Sequence, residues 1–233
     1  MDSIVSVGRV CVVSPHLDDA VLSCGNLLAQ CEDSSVLTVF SAHPPAYIGV
    51  TAYDASCGFS SSTHAMRCRL QEDDSALAIL GAAAHRLDAL DSQYGPLPEP
   101  DVLAGHIGAW LMSQAPDTVL VPMGLFHCDH ECVAAACDLL VTQHGRDVRW
   151  IAYEDALYRR RAGVLQRRLI GLFAHGIMAT PVTLTGELSD VAGQAQCSAK
   201  ARAVACYASQ LKCLGLSAGG DHETPERYWL LDA

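Results

Sequence analysis

Histidine and aspartate side chains are concentrated in two short segments of the chain whose spacing suits a metal ion. The first, SPHLDD, covers residues 14–19, and the second, HCDH, covers residues 127–130. Imidazole and carboxylate groups bind divalent cations, and two histidines with one carboxylate leave coordination positions open for water and substrate. His16 and Asp19 are three residues apart and would face the same side of a helical turn, which leaves Asp18 free as a base. The two segments together therefore predict a metal-assisted hydrolytic site.

Each segment also has a purely structural interpretation. A carboxylate before a helix is often a cap, so Asp19 and Asp129 could be N-caps with no further duty. Cys128 and Cys132 flank the second histidine pair, but adjacent residues cannot all converge on one ion, and we interpret both as packing residues. The presence of both segments, each at a predicted turn from strand to helix, favours the functional interpretation.

The elements that must position these segments alternate between strand and helix. Strands are predicted over residues 7–14, 35–40, 85–90, 117–122 and 148–153. Helices are predicted over residues 19–30, 63–81 and 101–114 (capped by Asp101), and residues 127–143 are expected to begin in a loop and continue as a helix. Farther along the weaker pattern predicts strands over 165–173 and 181–184 and a helix over 190–211. This alternation predicts an α/β fold, a Rossmann-like three-layer sandwich with a mostly parallel sheet, in a single domain over residues 1–233.

Both segments lie where an open α/β sheet builds its ligand site, in the loops at the carboxyl ends of strands. Two longer irregular stretches, residues 41–62 and 154–180, are expected to border the same site, because a long loop in a compact domain is usually functional. Asp91 and Tyr94 lie near another predicted strand end and are candidates to contact the substrate.

The composition excludes several classes of protein. With 26 acidic and 15 basic residues, the net charge of -11 would repel phosphates, so we expect no nucleic-acid partner. No apolar run reaches the length of a membrane span, and the N-terminus lacks the basic region of a secretory signal, so we expect a cytoplasmic protein with no membrane partner. The eleven cysteines form no CxxC pair and many lie in apolar patterns, which favours reduced, buried thiols over disulfides.

His-x-Asp-Asp after the first strand, together with His-x-Asp-His, resembles the PIG-L/LmbE-like family of zinc-dependent N-acetylglucosaminyl deacetylases. The resemblance covers about residues 7–212. Further parts of the chain are similar to that family: the helix pattern from Arg69 and Glu72 to Gly81, the segment Tyr153-Glu154-Asp155, and the residues Lys200, Tyr207, Ser209 and Gln210.

The resemblance implies one zinc ion per chain, held by three ligands: His16, Asp19 and His130. It implies Asp18 as the general base that deprotonates the attacking water, His127 as the acid and oxyanion stabiliser, and Asp129 as the residue that orients His127. Four residues are candidates for substrate binding: Arg69, Asp91, Tyr94 and Tyr153. For Arg69 the competing interpretation is a buried ion pair with Glu72 that serves only the fold.

The chain departs from the family pattern at three positions. Leu17 and Ala20 stand where many members have Pro and Glu, and Leu125 stands where some members have a tyrosine. A tyrosine that assists the oxyanion would then have to come from elsewhere in the fold. The Leu and Ala version of the motif resembles a subgroup that includes deacetylases of antibiotic biosynthesis, among them those acting on glycopeptides.

The predicted function is removal of the N-acyl group, here acetyl, from an N-acetylglucosaminyl moiety of a small molecule such as a glycopeptide antibiotic precursor. A glycoside of the GlcNAc-inositol or GlcNAc-malate type is the alternative substrate. Two other classes share the ligand set. A non-haem iron oxygenase is disfavoured by the α/β alternation. A non-catalytic module that binds a metal or a sugar would need no spare base beside the ion.

Overall fold

One mixed sheet of eight strands runs through the protein in the computed structural model, which describes residues 3–145, 147–187, 193–215, 220 and 223–233. In chain order the strands are β1 (Ser3–Ser6), β2 (Val10–Ser14), β3 (Ser34–Thr38), β4 (Ala83–Arg86), β5 (Thr118–Pro122), β6 (Arg149–Tyr153), β7 (Met178–Thr185) and β8 (Tyr228–Asp232). Their order across the sheet is β1-β7-β8-β6-β5-β2-β3-β4.

Helices connect most of these strands. In chain order they are α1 (Asp19–Leu28), α2 (Ala52–Ser56), α3 (Ser62–Leu80), α4 (Pro100–Gln114), α5 (Cys128–His144), α6 (Val164–Ala174), α7 (Gly193–Val204) and α8 (Ala208–Leu214). A short 3₁₀ turn covers Ala46–Ile48. Helix α3 ends at its C-cap, Gly81. This residue adopts φ +72°, a left-handed conformation that ends helices and that costs glycine little.

Five parallel strands in the order β4-β3-β2-β5-β6 form one side of the sheet, with β4 at its edge. The chain builds outward from β2 to β3 and β4 on one side, and then crosses to β5 and β6 on the other. The order therefore reverses between β2 and β5. Ligands of open α/β sheets bind in the crevice outside the carboxyl ends of the strands at such a point.

Both faces of this sheet are covered, as the side chains of β2 show. Val10 and Val12 belong to a core cluster with residues of α1, α3 and α7, whereas Cys11 and Val13 belong to a second cluster with residues of α4 and α5. Strands buried on both faces have nearly continuous apolar sequences, and every residue of β2, β3 and β5 is buried.

The predicted α/β class and the mostly parallel sheet are confirmed. The outer part of the sheet differs from the expectation, because β1 and β8 were not predicted and β8 is antiparallel to both of its neighbours. The strand predicted over residues 165–173 is wrong. This run forms α6, in which Leu165, Leu169 and Leu172 pack against the core at helical spacing while Ile170 and Phe173 are exposed.

Smaller differences concern element ends and cysteines. The N-cap of α4 is Glu99, and Asp101 lies in its first turn instead of capping it. The helix predicted over 190–211 is two helices, α7 and α8, and residues 190–192 of that prediction lie outside the described residues.

A disulfide joins Cys57 and Cys213, which corrects the expectation of reduced thiols at this pair. No helix among the described residues is long and apolar enough to cross a membrane.

Candidate active site

The loop after β2 is folded by its own polar groups. The Ser14 hydroxyl donates to the carbonyl of His16 and accepts from the N–H of Ala20, at 2.6 and 3.0 Å. The carboxylate of Asp19 accepts the backbone N–H of His16 at 2.9 Å. These bonds join the end of the strand to the first turn of α1, so that Asp18 and Asp19 are buried at the bottom of the crevice.

The loop between β5 and α5 carries the second segment on a strained backbone. Gly124 and Phe126 both adopt positive φ, +77° and +71°. For a residue with a side chain this conformation is uncommon, and such residues cluster at functional sites. His127 is the N-cap of α5, and its Nδ1 accepts the backbone N–H of Asp129 at 3.3 Å. The next turn brings His130 into the crevice, where it is buried.

His16, Asp19 and His130 meet with their potential ligand atoms within 4.8 Å of one another. Asp19 Oδ2 lies 3.3 Å from His16 Nδ1 and 3.1 Å from His130 Nε2. Ligands bound at about 2.0 Å around one tetrahedral ion are separated by about 3.3 Å. The three side chains therefore fit a divalent cation with little adjustment.

The second nitrogen of each of these imidazoles is held by a buried carboxylate. His16 Nε2 lies 2.8 Å from Asp129 Oδ2, and His130 Nδ1 lies 2.6 Å from Asp155 Oδ1. Histidines that bind metals nearly always bond a carboxylate, carbonyl or water through the other ring nitrogen. The other oxygen of Asp155 accepts the N–H of Leu125 at 2.9 Å, which ties this carboxylate to the loop that precedes α5. The groups around the two histidines, as well as the possible ligands themselves, therefore fit a metal site.

The contact of Asp129 with His16 changes one expected role. We expected Asp129 to orient His127, but its carboxylate oxygen Oδ1 lies 3.7 Å from His127 Nδ1, longer than a hydrogen bond, and only its backbone N–H bonds that nitrogen. His16, His127 and Asp129 form a second set with ligand atoms within 4.8 Å. In that set the hydrogen bond to His16 already uses an Asp129 oxygen, so the set with Asp19 is the better candidate for the ion.

The acidic groups of the site strongly affect one another. Burial and the neighbouring charge of Asp19 raise the pKa of Asp18 to about 7. Burial would lower the pKa of His130, but Asp19 and Asp155 raise it to about 9. Burial and the nearby His16 lower the pKa of His127. A neutral His127 whose Nδ1 accepts the backbone N–H carries its proton on Nε2, where it can serve as a donor.

A cavity of about 430 Å³ opens over these groups. Its polar wall contains Arg69, Asp91, Ser92, Gln93 and Gln210, and its apolar wall contains Leu17, Phe40, Tyr53, Met66, Leu157, Tyr158 and Leu214. The ring of Tyr158 stacks on His127 with centroids 6.1 Å apart and packs edge-on against His130 at 5.1 Å. Tyr53 belongs to the stretch 41–62, and Tyr158 belongs to the stretch 154–180.

Two of the four expected substrate-binding residues line this cavity and two do not. Arg69 and Asp91 line it, and Asp91 Oδ2 lies 3.7 Å from His16 Nε2. Tyr94 is buried behind the wall, where its hydroxyl donates to Asp54. Tyr153 is fully buried and its hydroxyl donates to the carbonyl of Val13, so it joins strands of the sheet and does not face the cavity.

The structural interpretation of Arg69 also named the wrong partner. Arg69 binds Asp54, not Glu72, which instead accepts the backbone N–H and the hydroxyl of Ser209 at the start of α8. Sequence reasoning gave no role to Asp54, Asp155 or Tyr158. Asp155 could have been found from its place directly after β6, at the same edge of the sheet as the two motifs. Tyr158 carries no comparable signal.

Comparison with known proteins agrees with this site. The family model of PIG-L, GlcNAc-PI de-N-acetylase, matches residues 11–141, which contain both segments, and the chain belongs to this family. No curated protein matches the chain by sequence.

Several solved structures share the fold over nearly the whole chain. The A40926 pseudoaglycone deacetylase Dbv21 is 24% identical with a TM-score of 0.73, over 95% of this chain and 96% of that one. The zinc-inhibited form of teicoplanin deacetylase is 24% identical with a TM-score of 0.71, over 96% and 97%. A triple mutant of a deacetylase of the teicoplanin biosynthetic pathway is 26% identical with a TM-score of 0.71, again over 96% and 97%.

Proposed function

We propose that this protein is a zinc-dependent N-deacetylase that removes the acetyl group from an N-acetylglucosaminyl moiety. The observation that carries the proposal is the set of His16, Asp19 and His130 at the bottom of a cavity, with the carboxylate of Asp18 next to it and bound to no ligand histidine. A site that only bound a metal or a sugar would need no such carboxylate. Membership of the PIG-L family supports the same reaction.

The substrate that we propose is a glycosylated specialised metabolite, such as a glycopeptide antibiotic precursor. The support is the likeness to the deacetylase of the teicoplanin pathway, which spans almost the full length of both chains. A GlcNAc-inositol or GlcNAc-malate type of glycoside is the alternative, and the cavity of about 430 Å³ has room for the amino sugar of either.

Different side chains of the site act at different steps of the proposed reaction. A bound zinc ion would polarise the acyl carbonyl and make water acidic enough to ionise near pH 7. Asp18 takes a proton from the water that attacks the carbonyl carbon. His127 donates a hydrogen bond to the oxygen that gains negative charge, and the amine leaves with a proton from Asp18 or His127 when the C–N bond breaks. Asp129 and Asp155 hold His16 and His130 in orientation.

Three broader assignments belong to this proposal. We propose that the sheet is Rossmann-like, because its five parallel strands have the order of the doubly wound folds. We propose that residues 1–233 act as one domain whose stretches 41–62 and 154–180 border the active site, since Tyr53 and Tyr158 line the cavity. A cytoplasmic location stays a prediction. The disulfide between Cys57 and Cys213 argues against it, because disulfides are rare in the reducing cytosol.

An acetate-release assay tests the proposal. The substrates are free N-acetylglucosamine, an N-acetylglucosaminyl inositol and an N-acetylglucosaminyl glycopeptide, each with and without a chelator. We expect release from at least one glycoside, loss of release with the chelator, and recovery when zinc is added. Tight binding of a glycoside without any release of acetate would favour the non-catalytic module instead.

A further inference from the structure

Arg69 stands on the cavity wall with its charge already matched by a buried partner. Its Nη2 donates to Asp54 Oδ1 at 2.6 Å, and its Nη1 donates to the Tyr94 hydroxyl at 3.1 Å. The same hydroxyl donates to the other oxygen of Asp54 at 2.8 Å, which closes a ring of three side chains. All three are buried, and Asp54 is completely so.

Two aromatic rings also lie near the guanidinium. Its central carbon lies 5.3 Å from the centroid of Tyr53 and 5.8 Å from that of Phe59. The Nε–H of Arg69 is buried and has no partner among the described residues. A buried donor without a partner is costly, so an acceptor oxygen of a ligand that reached this group from the cavity would remove that cost.

The rest of the cavity offers little attraction to a negatively charged ligand. Among the described residues that line it, Arg69 is the one permanent cation, whereas Asp18, Asp19 and Asp91 are carboxylates. With Asp54 against it at 2.6 Å, Arg69 contributes a donor but almost no net charge. A hydroxyl or carbonyl can accept from such a donor. A phosphate or carboxylate beside Arg69 would instead meet the charges of Asp54 and Asp91, because Asp18 and Asp19 would already offset the two positive charges of a bound zinc ion.

We propose that Asp54 sets the charge selectivity of the active site. By neutralising Arg69 it restricts the position beside the guanidinium to uncharged oxygen-bearing groups, such as the hydroxyls of an N-acylhexosamine glycoside, and excludes analogues that carry an anion there. Asp54 is a specificity-determining residue that acts through Arg69 and does not touch the substrate. The inference rests on the proposed deacetylase function and narrows its substrate class.

The test compares substrates that differ in charge but little in shape. One pair is N-acetylmuramic acid and its methyl ester, and the other is N-acetylglucosamine 1-phosphate and methyl N-acetylglucosaminide. For the wild type we expect kcat/KM to be about tenfold or more higher for the neutral member of the pair whose variable group faces Arg69. In Asp54→Asn the uncompensated Arg69 should reduce or reverse that ratio by about tenfold.

A double variant separates charge from packing. Asp54→Asn with Arg69→Gln removes both charges, and it should keep the wild-type charge ratio even if its overall activity falls. The zinc content and circular dichroism of each variant establish that the site and the fold are retained. If Asp54→Asn does not fold, Arg69→Gln takes its place: it leaves the charge of Asp54 unmatched, so the preference for the neutral substrates should rise above that of the wild type, and an unchanged ratio would overturn the inference.

Two outcomes would overturn the inference. One is a wild type that hydrolyses the charged and neutral members of both pairs equally well, and the other is a loss in Asp54→Asn that is the same for all four substrates. Failure of the proposed function would differ from both, because then the zinc-loaded wild type would release acetate from none of them.

Discussion

Both ring nitrogens of His16 and His130 face carboxylates, and this arrangement makes metal affinity depend on residues that do not touch the ion. For His130 the outer carboxylate is Asp155, at 2.6 Å. Loss of such a partner typically lowers metal affinity 10- to 100-fold. The ordering of the imidazole, as well as its presence, is therefore part of the site.

The first prediction follows for Asp155→Asn. We expect its zinc affinity to fall by about 10- to 100-fold, because the amide orients and polarises His130 less well. Competition with a chromophoric chelator measures the affinity. Asp147→Asn is the matched control, because Asp147 Oδ2 lies 3.4 Å from Nδ1 of the exposed His144, far from the cavity. Equal affinity in both variants would contradict the assignment of His130 as a ligand.

The second prediction concerns Asp18→Asn. The amide is nearly the same size and cannot accept a proton, so we expect zinc to remain bound while kcat falls by about 10²- to 10⁴-fold. Metal analysis of the purified variant and the acetate-release assay measure the two quantities. Turnover close to that of the wild type would remove Asp18 from the role of base.

At this scale the sequence indicates which residues are brought together but not which atoms pair. The spacing of His16 with Asp19 and of His127 with His130 was sufficient to predict a shared site. The bond of the Asp129 carboxylate with His16, in place of the expected one with His127, depends on ring orientations that the fold alone determines. The same holds for Asp54, which reaches Arg69 from a different helix, 15 residues away.

Among the elements, the connection from β5 to α5 sets the position of the second motif. A Cβ atom on Gly124 would collide with the side chain of Ala134 and approach the backbone oxygen of His130 to 3.1 Å. The conformation at φ +77° is itself unfavourable for any residue with a side chain. Close packing and backbone conformation therefore both require glycine here.

The third prediction is that Gly124→Ala destabilises the protein by about 2–5 kcal/mol, the sum of the left-handed conformation and overpacking. It should also weaken zinc binding, since α5 would have to shift at His130. Gly163→Ala is the control: Gly163 has φ +79° but no neighbour within 4 Å of the added atom. Urea unfolding and zinc titration of both variants measure the effects. A control that lost as much zinc affinity as Gly124→Ala would show that packing against α5 is not the cause.

Periodicity predicted the elements well where strands are buried on both faces and poorly toward the edge of the sheet. The strands β2, β3, β5 and β6 were found because each is a short, mostly apolar run between helices, whereas the prediction over 85–90 overlaps the edge strand β4 (Ala83–Arg86) only at its last two residues. β1 is a four-residue strand, and β8 follows a long irregular stretch, so neither has a local pattern of its own. In residues 165–173 a high apolar content concealed the helical spacing of the three leucines that pack against the core.

At the scale of the whole molecule, the Cys57–Cys213 disulfide connects two walls of the cavity. It joins the stretch that carries Tyr53 to α8, from which Gln210 and Leu214 line the cavity. The two cysteines are separated by 156 residues, so the bond also closes a very large loop. Both the stability of the fold and the shape of the cavity should respond to its loss.

The fourth prediction is that Cys57→Ser with Cys213→Ser lowers the free energy of unfolding by up to about 5 kcal/mol, through the entropy of the unfolded chain. We also expect KM to rise, because α8 is no longer tied to the opposite wall. Chemical unfolding and substrate titration measure both changes. Cys68→Ser, which removes a free and partly exposed thiol, is the control. Equal free energies of unfolding and equal KM for the double variant and the wild type would contradict this prediction.

The place of β8 in the sheet has a consequence for biosynthesis. This strand comes last in chain order, yet it is inserted between β6 and β7, and it alone joins the pair β1-β7 to the remaining strands. A nascent chain can assemble the metal-binding half while still on the ribosome, but β7 must wait with an open edge until residues 228–232 have left the exit tunnel. Premature termination just before these residues would thus yield a polypeptide that has both motifs and an unprotected strand on either side of the gap, a substrate for chaperones and proteases.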